Sequence, residues 1–164
     1  MQMHPRLKAK GFSLIELLIV VAIILIIAAI AIPNFMRSRV AANHASAISS
    51  LRVINSAEMT YSMQYAIGYT TVLSNLGPPA SGTQPGSTAA DLIDNVLASG
   101  TKGGYVFTYS PGAADANGHY QQYNLNADPS QVGRTGNNYY FSDQSYVIRL
   151  NATATASSSD SPLN

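Results

Sequence analysis

The sequence predicts an α+β fold: a long N-terminal α-helix, part membrane span and part amphipathic stalk, packed on a C-terminal antiparallel sheet of about four strands. Three observations carry this. Leu17–Ile32 is a run of sixteen residues without a polar side chain. An apolar stripe at helical spacing follows it. The chain then becomes rich in Ser, Thr, Asn, Gly and Tyr, and its aromatic residues alternate with smaller ones.

A length of 164 residues suits one domain with an appendage. Only 10% of the residues are charged, against roughly a quarter in ordinary soluble proteins. Net charge is +1, and it is unevenly placed: Arg6, Lys8 and Lys10 precede the apolar run, whereas six basic residues face eight acidic ones after Gly11. The downstream part therefore has no basic excess that would select nucleic acid. There is no cysteine, which excludes disulfides, thiol nucleophiles and Cys-ligated metals.

The N-terminal segment admits three readings. A cleavable secretory signal is one, because Ala29-Ile30-Ala31 fits a small-residue cleavage pattern. A plain membrane anchor is the second. Phe12–Ile32 has 21 residues, which at 1.5 Å each span about 32 Å, longer than a signal core and enough to cross a bilayer. Glu16 favours a third reading. A carboxylate inside an apolar span needs a partner or loses its charge. Cleavage between Gly11 and Phe12 would leave an amine on Phe12, and a neighbouring helix shifted along the axis would set that amine against Glu16.

Lys10-Gly11-Phe12-Ser13-Leu14-Ile15-Glu16-Leu17-Leu18-Ile19-Val20-Val21, continued by Ala28 through Pro33, resembles the prepilin cleavage and methylation motif of type IV pilins and type II secretion pseudopilins. The match covers about the first 50 residues. The resemblance implies that a membrane aspartyl peptidase cuts after Gly11 and N-methylates Phe12, that Glu16 guides assembly, and that the helix bends or locally melts at Pro33. It also implies the pilin fold. The expected organisation is a leader over 1–11, a transmembrane and filament-core helix over 12–32, a stalk helix over 33–67, a globular head over 68–151 and a flexible tail over 152–164.

Pro33 removes a helical donor but is expected to kink the helix, not end it, because the pattern resumes at once. Val40, Ala47, Leu51, Ile54, Tyr61 and Tyr65 share one face, with His44 and Glu58 in the gaps, and Gly68 is the stop signal. His44 and Glu58 are read as packing residues between stalk and head. Arg37, Arg39 and Arg52 are either solvated or paired with acidic groups of neighbouring subunits.

In the head, Ser74–Thr88 reads as a Gly/Pro/Ser-rich loop, and Thr88–Asp91 as a capping box opening a short helix over Leu92, Ile93, Val96 and Leu97, closed by Gly100. Strands are expected at Tyr105–Tyr109, Tyr120–Leu125, Asn138–Ser142 and Tyr146–Leu150, with turns at Asn117-Gly118 and Asp143-Gln144-Ser145. Packing that meander on the helical stripe buries both apolar faces. The ten tyrosines are read as core and interface aromatics. Many related pseudopilins bind calcium through a late acidic loop; here Asp128 and Asp143 flank Pro129–Ser142, but no Asp-x-Asp/Asn-x-Asp/Asn-Gly spacing accompanies them, and no metal or cofactor is expected.

The function expected is a structural subunit of a type IV pilus: no enzyme, polymerised with copies of itself into a helical filament and processed by a prepilin peptidase and methylase. A separate assembly platform and motor supply the energy, since the chain has no phosphate-binding loop. It sits in the inner membrane as a precursor and then in the extracellular filament. The alternatives are a pseudopilin of a type II secretion system in a periplasmic filament, and a membrane-anchored or secreted binding or adhesion module. His119 is read as a polar hairpin residue beside Gly118, without a catalytic partner.

Overall fold

The computed structural model describes residues 11–163, so the leader expected over 1–11 falls outside them except for Gly11. Residues up to Arg37 and residues from Ser38 onward form two units. Helix α1 (Leu14–Tyr65, 52 residues) runs through Pro33 without interruption. No glycine lies within it, and Pro33 costs it only the donor that Ala29 would otherwise accept. It ends where Ala66 (φ 54°) and Gly68 (φ 81°) turn left-handed, after Ala66 N–H donates to Ser62 O at 3.1 Å.

In the second unit the α1 stripe is buried. Ala47, Leu51 and Ile54 are fully enclosed, and Ala57 and Tyr61 nearly so. They pack with residues from a six-stranded antiparallel sheet: β1 (Thr101–Lys102), β2 (Tyr105–Pro111), β3 (Tyr123–Pro129), β4 (Tyr139–Asp143), β5 (Arg149–Asn151) and β6 (Ser161–Pro162), in that spatial order. Alternation decides which face each side chain takes. Tyr105 and Phe107 of β2, and Tyr123, Leu125 and Ala127 of β3, point inward and are buried. The fold class is therefore the one the sequence predicts, with two additional strands of two residues each.

Several elements differ from expectation. The short helix α2 covers only Asn95–Ala98 and is capped by Asp94, whose carboxylate accepts from Leu97 N–H at 3.0 Å. Thr88–Asp91 opens no helix, because Asp91 sits at φ 56° and its N–H is held by Gly77 O at 2.9 Å. The expected loop at 74–88 is entered by a 3-10 turn, Leu73–Leu76, that buries Leu73 and Leu76. β3 begins three residues later than expected: Tyr120 is instead taken up by a bridge to Gly68, and its carbonyl accepts from Tyr69 N–H at 2.7 Å.

The tail expected to be flexible is docked. Phe141 lies on the sheet face opposite the helix and is 4% exposed. Asn126, its cross-strand neighbour, donates its side-chain amide to Ala156 O at 2.7 Å, and Ala156 is itself buried. Arg149 donates to Asp160 O at 2.8 Å, Asn151 donates to the Asp160 carboxylate at 2.9 Å, and Ser161–Pro162 extends the sheet on β5. The tail thus covers an apolar side chain that would otherwise face water.

Two polar seams cross the helix–sheet interface. Asn55 donates to Ser142 Oγ at 2.8 Å and accepts from Tyr123 OH at 2.9 Å. One turn on, Glu58 is fully buried with no cation beside it. It accepts from Thr70 N–H at 3.0 Å and from Thr70 Oγ1–H at 2.5 Å, and Tyr109 OH donates to Thr70 O at 3.0 Å. His44 Nε2 accepts from Asn137 N–H at 3.1 Å between the rings of Tyr105 and Tyr140. Both residues pack stalk to head.

Burial pushes the Glu58 carboxyl above its ordinary value, against the pull of the Thr70 and Tyr109 hydrogen bonds. The folded head then binds this proton more tightly than the unfolded chain, whose reference value is 4.5. Its contribution to stability is complete below that pH and is lost as pH rises through the raised value. Asp94, Asp115 and Asp160 are held low and act in the opposite sense, so the two effects must be separated by mutation. Glu58→Gln removes only the loss at rising pH: melting curves of the detergent-solubilised protein between acidic and neutral pH should show a smaller decline, or a larger rise, than wild type. Identical profiles refute this. Independently, Gly68→Ala places a Cβ 2.1 Å from Tyr120 O at a left-handed φ, and should cost more than about 1 kcal/mol in denaturant titrations.

Candidate functional site

The first unit presents a surface that water does not stabilise. An 18-residue window of α1 has a mean hydropathy of 3.3, and none of it is buried within the chain. The large apolar side chains from Leu14 to Ile32 are between 46% and 82% exposed, on every side of the helix. A helix that is apolar all round is covered either by lipid or by other apolar helices. Its backbone is already satisfied internally, so such a helix transfers between those two environments without breaking hydrogen bonds.

Gly11, Phe12 and Ser13 precede the helix and belong to no regular element. Phe12 is 82% exposed. Ser13 O accepts from Leu17 N–H at 3.2 Å, and Ser13 N–H reaches the Glu16 carboxylate at 3.4 Å. Ser13-Leu14-Ile15-Glu16 thus forms half of a capping box, with Glu16 in the first turn, where the helix dipole favours a negative charge. This role was legible as the S-x-x-E spacing, and the sequence reading above missed it. Glu16 is held by one long hydrogen bond to an exposed donor, so most of its acceptor capacity is free.

Of the sequence-selected residues, Gly11, Phe12 and Glu16 fall together within the helix start, and Pro33 lies in the same unit farther along α1. Arg37 ends the first unit, while Arg39 and Arg52 belong to the second. Among the described residues the one ion pair is Lys102–Asp94 at 2.7 Å, so these three arginines have no carboxylate partner among the described residues. His119 N–H and Asn117 N–H donate to the Asp115 carboxylate in the turn before β3. No group of three His, Asp or Glu side chains among the described residues is placed to hold a metal ion. Asp128 accepts from Thr155 Oγ1–H at 3.2 Å, and Asp143 accepts from Ser145, so both serve turn and tail geometry.

Comparison with known proteins bears on this helix start and on the head. The model of the prokaryotic N-terminal methylation motif matches residues 6–32. The type IV narrow pilus major component PilA5 of Thermus thermophilus is 35% identical over 106 residues, 65% of this chain and 90% of that protein. The type IV major pilin protein PilA of Myxococcus xanthus is 46% identical over 52 residues, 32% of this chain and 24% of that protein. The type IV wide pilus major component PilA4 of Thermus thermophilus is 66% identical over 35 residues, 21% of this chain and 27% of that protein. Alignment thus spans about a quarter of the length of two relatives and nearly all of the third. No solved structure matches. With the methylation motif at its helix start and a pilus component aligned along nine-tenths of its own length, this chain belongs to the type IV pilin family.

Proposed function

We propose that this chain is a structural subunit of a type IV pilus, made as a membrane-held precursor and polymerised with copies of itself through α1. The observation that carries the reading is a helix start with two features: apolar side chains exposed on every side of Leu14–Ile32, and a single carboxylate, Glu16, in the first turn. A plain anchor has no use for Glu16. A helix bundle formed from identical chains does.

The steps follow from these residues. The prepilin peptidase cuts the Gly11–Phe12 bond, which lies outside the helix, and the new amine on Phe12 is N-methylated. Residues 12–32 hold the subunit in the inner membrane. On assembly the helix leaves lipid for the filament core, where the Phe12 amine of one subunit meets Glu16 of its neighbour. Either charge alone in that core would be stranded, so the pair sets the axial stagger. Pro33, with the Ala29 carbonyl left free, is where the helix yields when subunits pack. A separate platform and motor provide the work, and the chain carries out no catalysis. That its relatives are major components of pili favours a pilus over a periplasmic pseudopilus.

Glu16→Ala is expected to leave the protein at wild-type abundance in the membrane and to lower the yield of sheared filaments at least about tenfold, the factor that 1.4 kcal/mol represents. Normal filaments from that variant refute the pairing. Intact-mass and N-terminal peptide spectrometry of the native protein is expected to find a chain beginning at N-methylated Phe12. A chain beginning at Ile32, after the Ala29-Ile30-Ala31 pattern, would make the protein an ordinary secreted one.

A further inference from the structure

Beside α1, where the segment after β4 crosses it, the head carries a groove of about 370 Å³ lined by Arg52, Asn55, Ser56, Met59 and Tyr146. It continues into a second hollow of about 250 Å³ that shares Arg52 and Tyr146 and adds Val147 and Leu163. Arg52 is the one charged side chain in either hollow, and it has no ion-pair partner among the described residues. Arg39 and Arg134 of the head are likewise without an ion pair among the described residues but line neither hollow. Arg52 is exposed, and the apolar side chains of Met59, Tyr146 and Val147 line the hollows around its aliphatic stem.

The head's own carboxylates narrow the choice of partner. Glu58 is buried on Thr70. Asp94 holds Lys102 and caps α2, and Asp115, Asp128, Asp143 and Asp160 each accept from local donors. Asp91 differs from these: it is exposed, and its carboxylate accepts no hydrogen bond among the described residues. It is also presented rigidly. Its φ is 56°, and the main chain around it is tied to the turn at Leu73–Leu76 by Ala90 N–H to Asn75 O (2.8 Å), Asp91 N–H to Gly77 O (2.9 Å) and Leu92 N–H to Leu76 O (2.8 Å). Val96, 58% exposed on α2, adds an apolar side chain to the same flank.

The two features lie at opposite edges of one sheet. Asp91 and α2 belong to the β1 side, and the groove belongs to the β5–β6 side, through Tyr146, Val147 and Leu163. Arg52 and Asp91 of one chain therefore do not meet, whereas those of adjacent copies can. Different, complementary patches on opposite flanks make a head-to-tail contact, which propagates instead of closing as a two-fold dimer. We propose that the Arg52 groove receives Asp91 of a second copy of this chain, so that the heads join edge to edge around the filament. This rests on the filament reading above and adds to it the head residues that select the neighbour.

Charge reversal tests the pair in the full-length protein. Arg52→Asp and Asp91→Arg are each expected to reduce filament yield about tenfold or more, because each sets like charges against one another at every subunit contact. Arg52 is exposed and forms no ion pair among the described residues, so Arg52→Asp should keep the wild-type melting temperature, whereas Asp91→Arg, at a left-handed φ that arginine tolerates less well than aspartate, should lower it slightly, an effect the double variant shares. The doubly reversed protein is expected to recover filaments. Single variants that assemble normally, or a double variant no better than either single one, overturn the proposal. The absence of native cysteine allows a second measurement. Arg52→Cys with Asp91→Cys in one chain, treated with a short bismaleimide in preformed filaments, should give a ladder of covalent multimers. Dimers alone, or no cross-linking, overturn the head-to-tail contact. If wild-type protein forms no filaments, the filament reading itself fails, separately from the pairing of Arg52 with Asp91.

Discussion

The head is organised by one packing interaction: the face of α1 from Ala47 to Tyr61 laid across the inner side of the sheet. A single helix cannot bury an apolar stripe by itself, and a sheet cannot bury one face by itself. Each supplies what the other lacks. Leu51 and Ile54 on the helix, and Tyr105, Tyr123 and Leu125 on the strands, have no exposed surface. The remaining elements gather around that contact. The turn at Leu73–Leu76 and helix α2 close one flank through Leu76 and Leu97, and β5 and β6 close the other.

The interface is not purely apolar, and its polar groups sit at defined positions. Asn55 binds Tyr123 and Ser142, which come from adjacent strands, and Glu58 binds the main chain and hydroxyl of Thr70. A helix that slid by one turn would strand these groups without partners, which costs more than the loss of an apolar contact. The seams therefore fix where α1 lies against the sheet, while the apolar stripe alone would tolerate several positions. Stacking of Tyr109 on Tyr123 at 5.5 Å, with Tyr69 edge-on to Tyr123 at 4.9 Å, surrounds the same two seams with aromatic surface.

What the sequence made legible depended on periodicity. The stripe Ala47, Leu51, Ile54 and Tyr61 and the alternation of Tyr105 and Phe107 are repeating patterns, and they emerged where expected. Glu16 draws attention for another reason: a carboxylate in an apolar run is costly enough to stand out in a single sequence. Features set by unique contacts were not legible. Asp94, and not the Thr88–Asp91 segment, caps α2, because the chain before it is tied to the turn at Leu73–Leu76. β3 starts at Tyr123 because the Tyr120 carbonyl is taken by Tyr69. The Ser/Thr-rich tail has no period at all, and its order comes from Asn126, Arg149 and Asn151, residues that precede it in the chain.

Zero cysteine gives the tail its structural weight. The last part of the head has no covalent staple, and β5 and β6 are only three and two residues long. So short a pair is marginal alone. It is held by side chains that act as backbone substitutes: Asn151 Oδ1 accepts from Thr153 and Ala154 N–H, and Asp160 accepts from Ser157 N–H while bridging to Asn151. Ala156, bound through its carbonyl to Asn126 beside Phe141, is buried with that ring on the outer face. A composition that looks disordered by its Ser and Thr content is thus the one this edge needs, because short polar side chains can turn the chain and satisfy its amides at the same time.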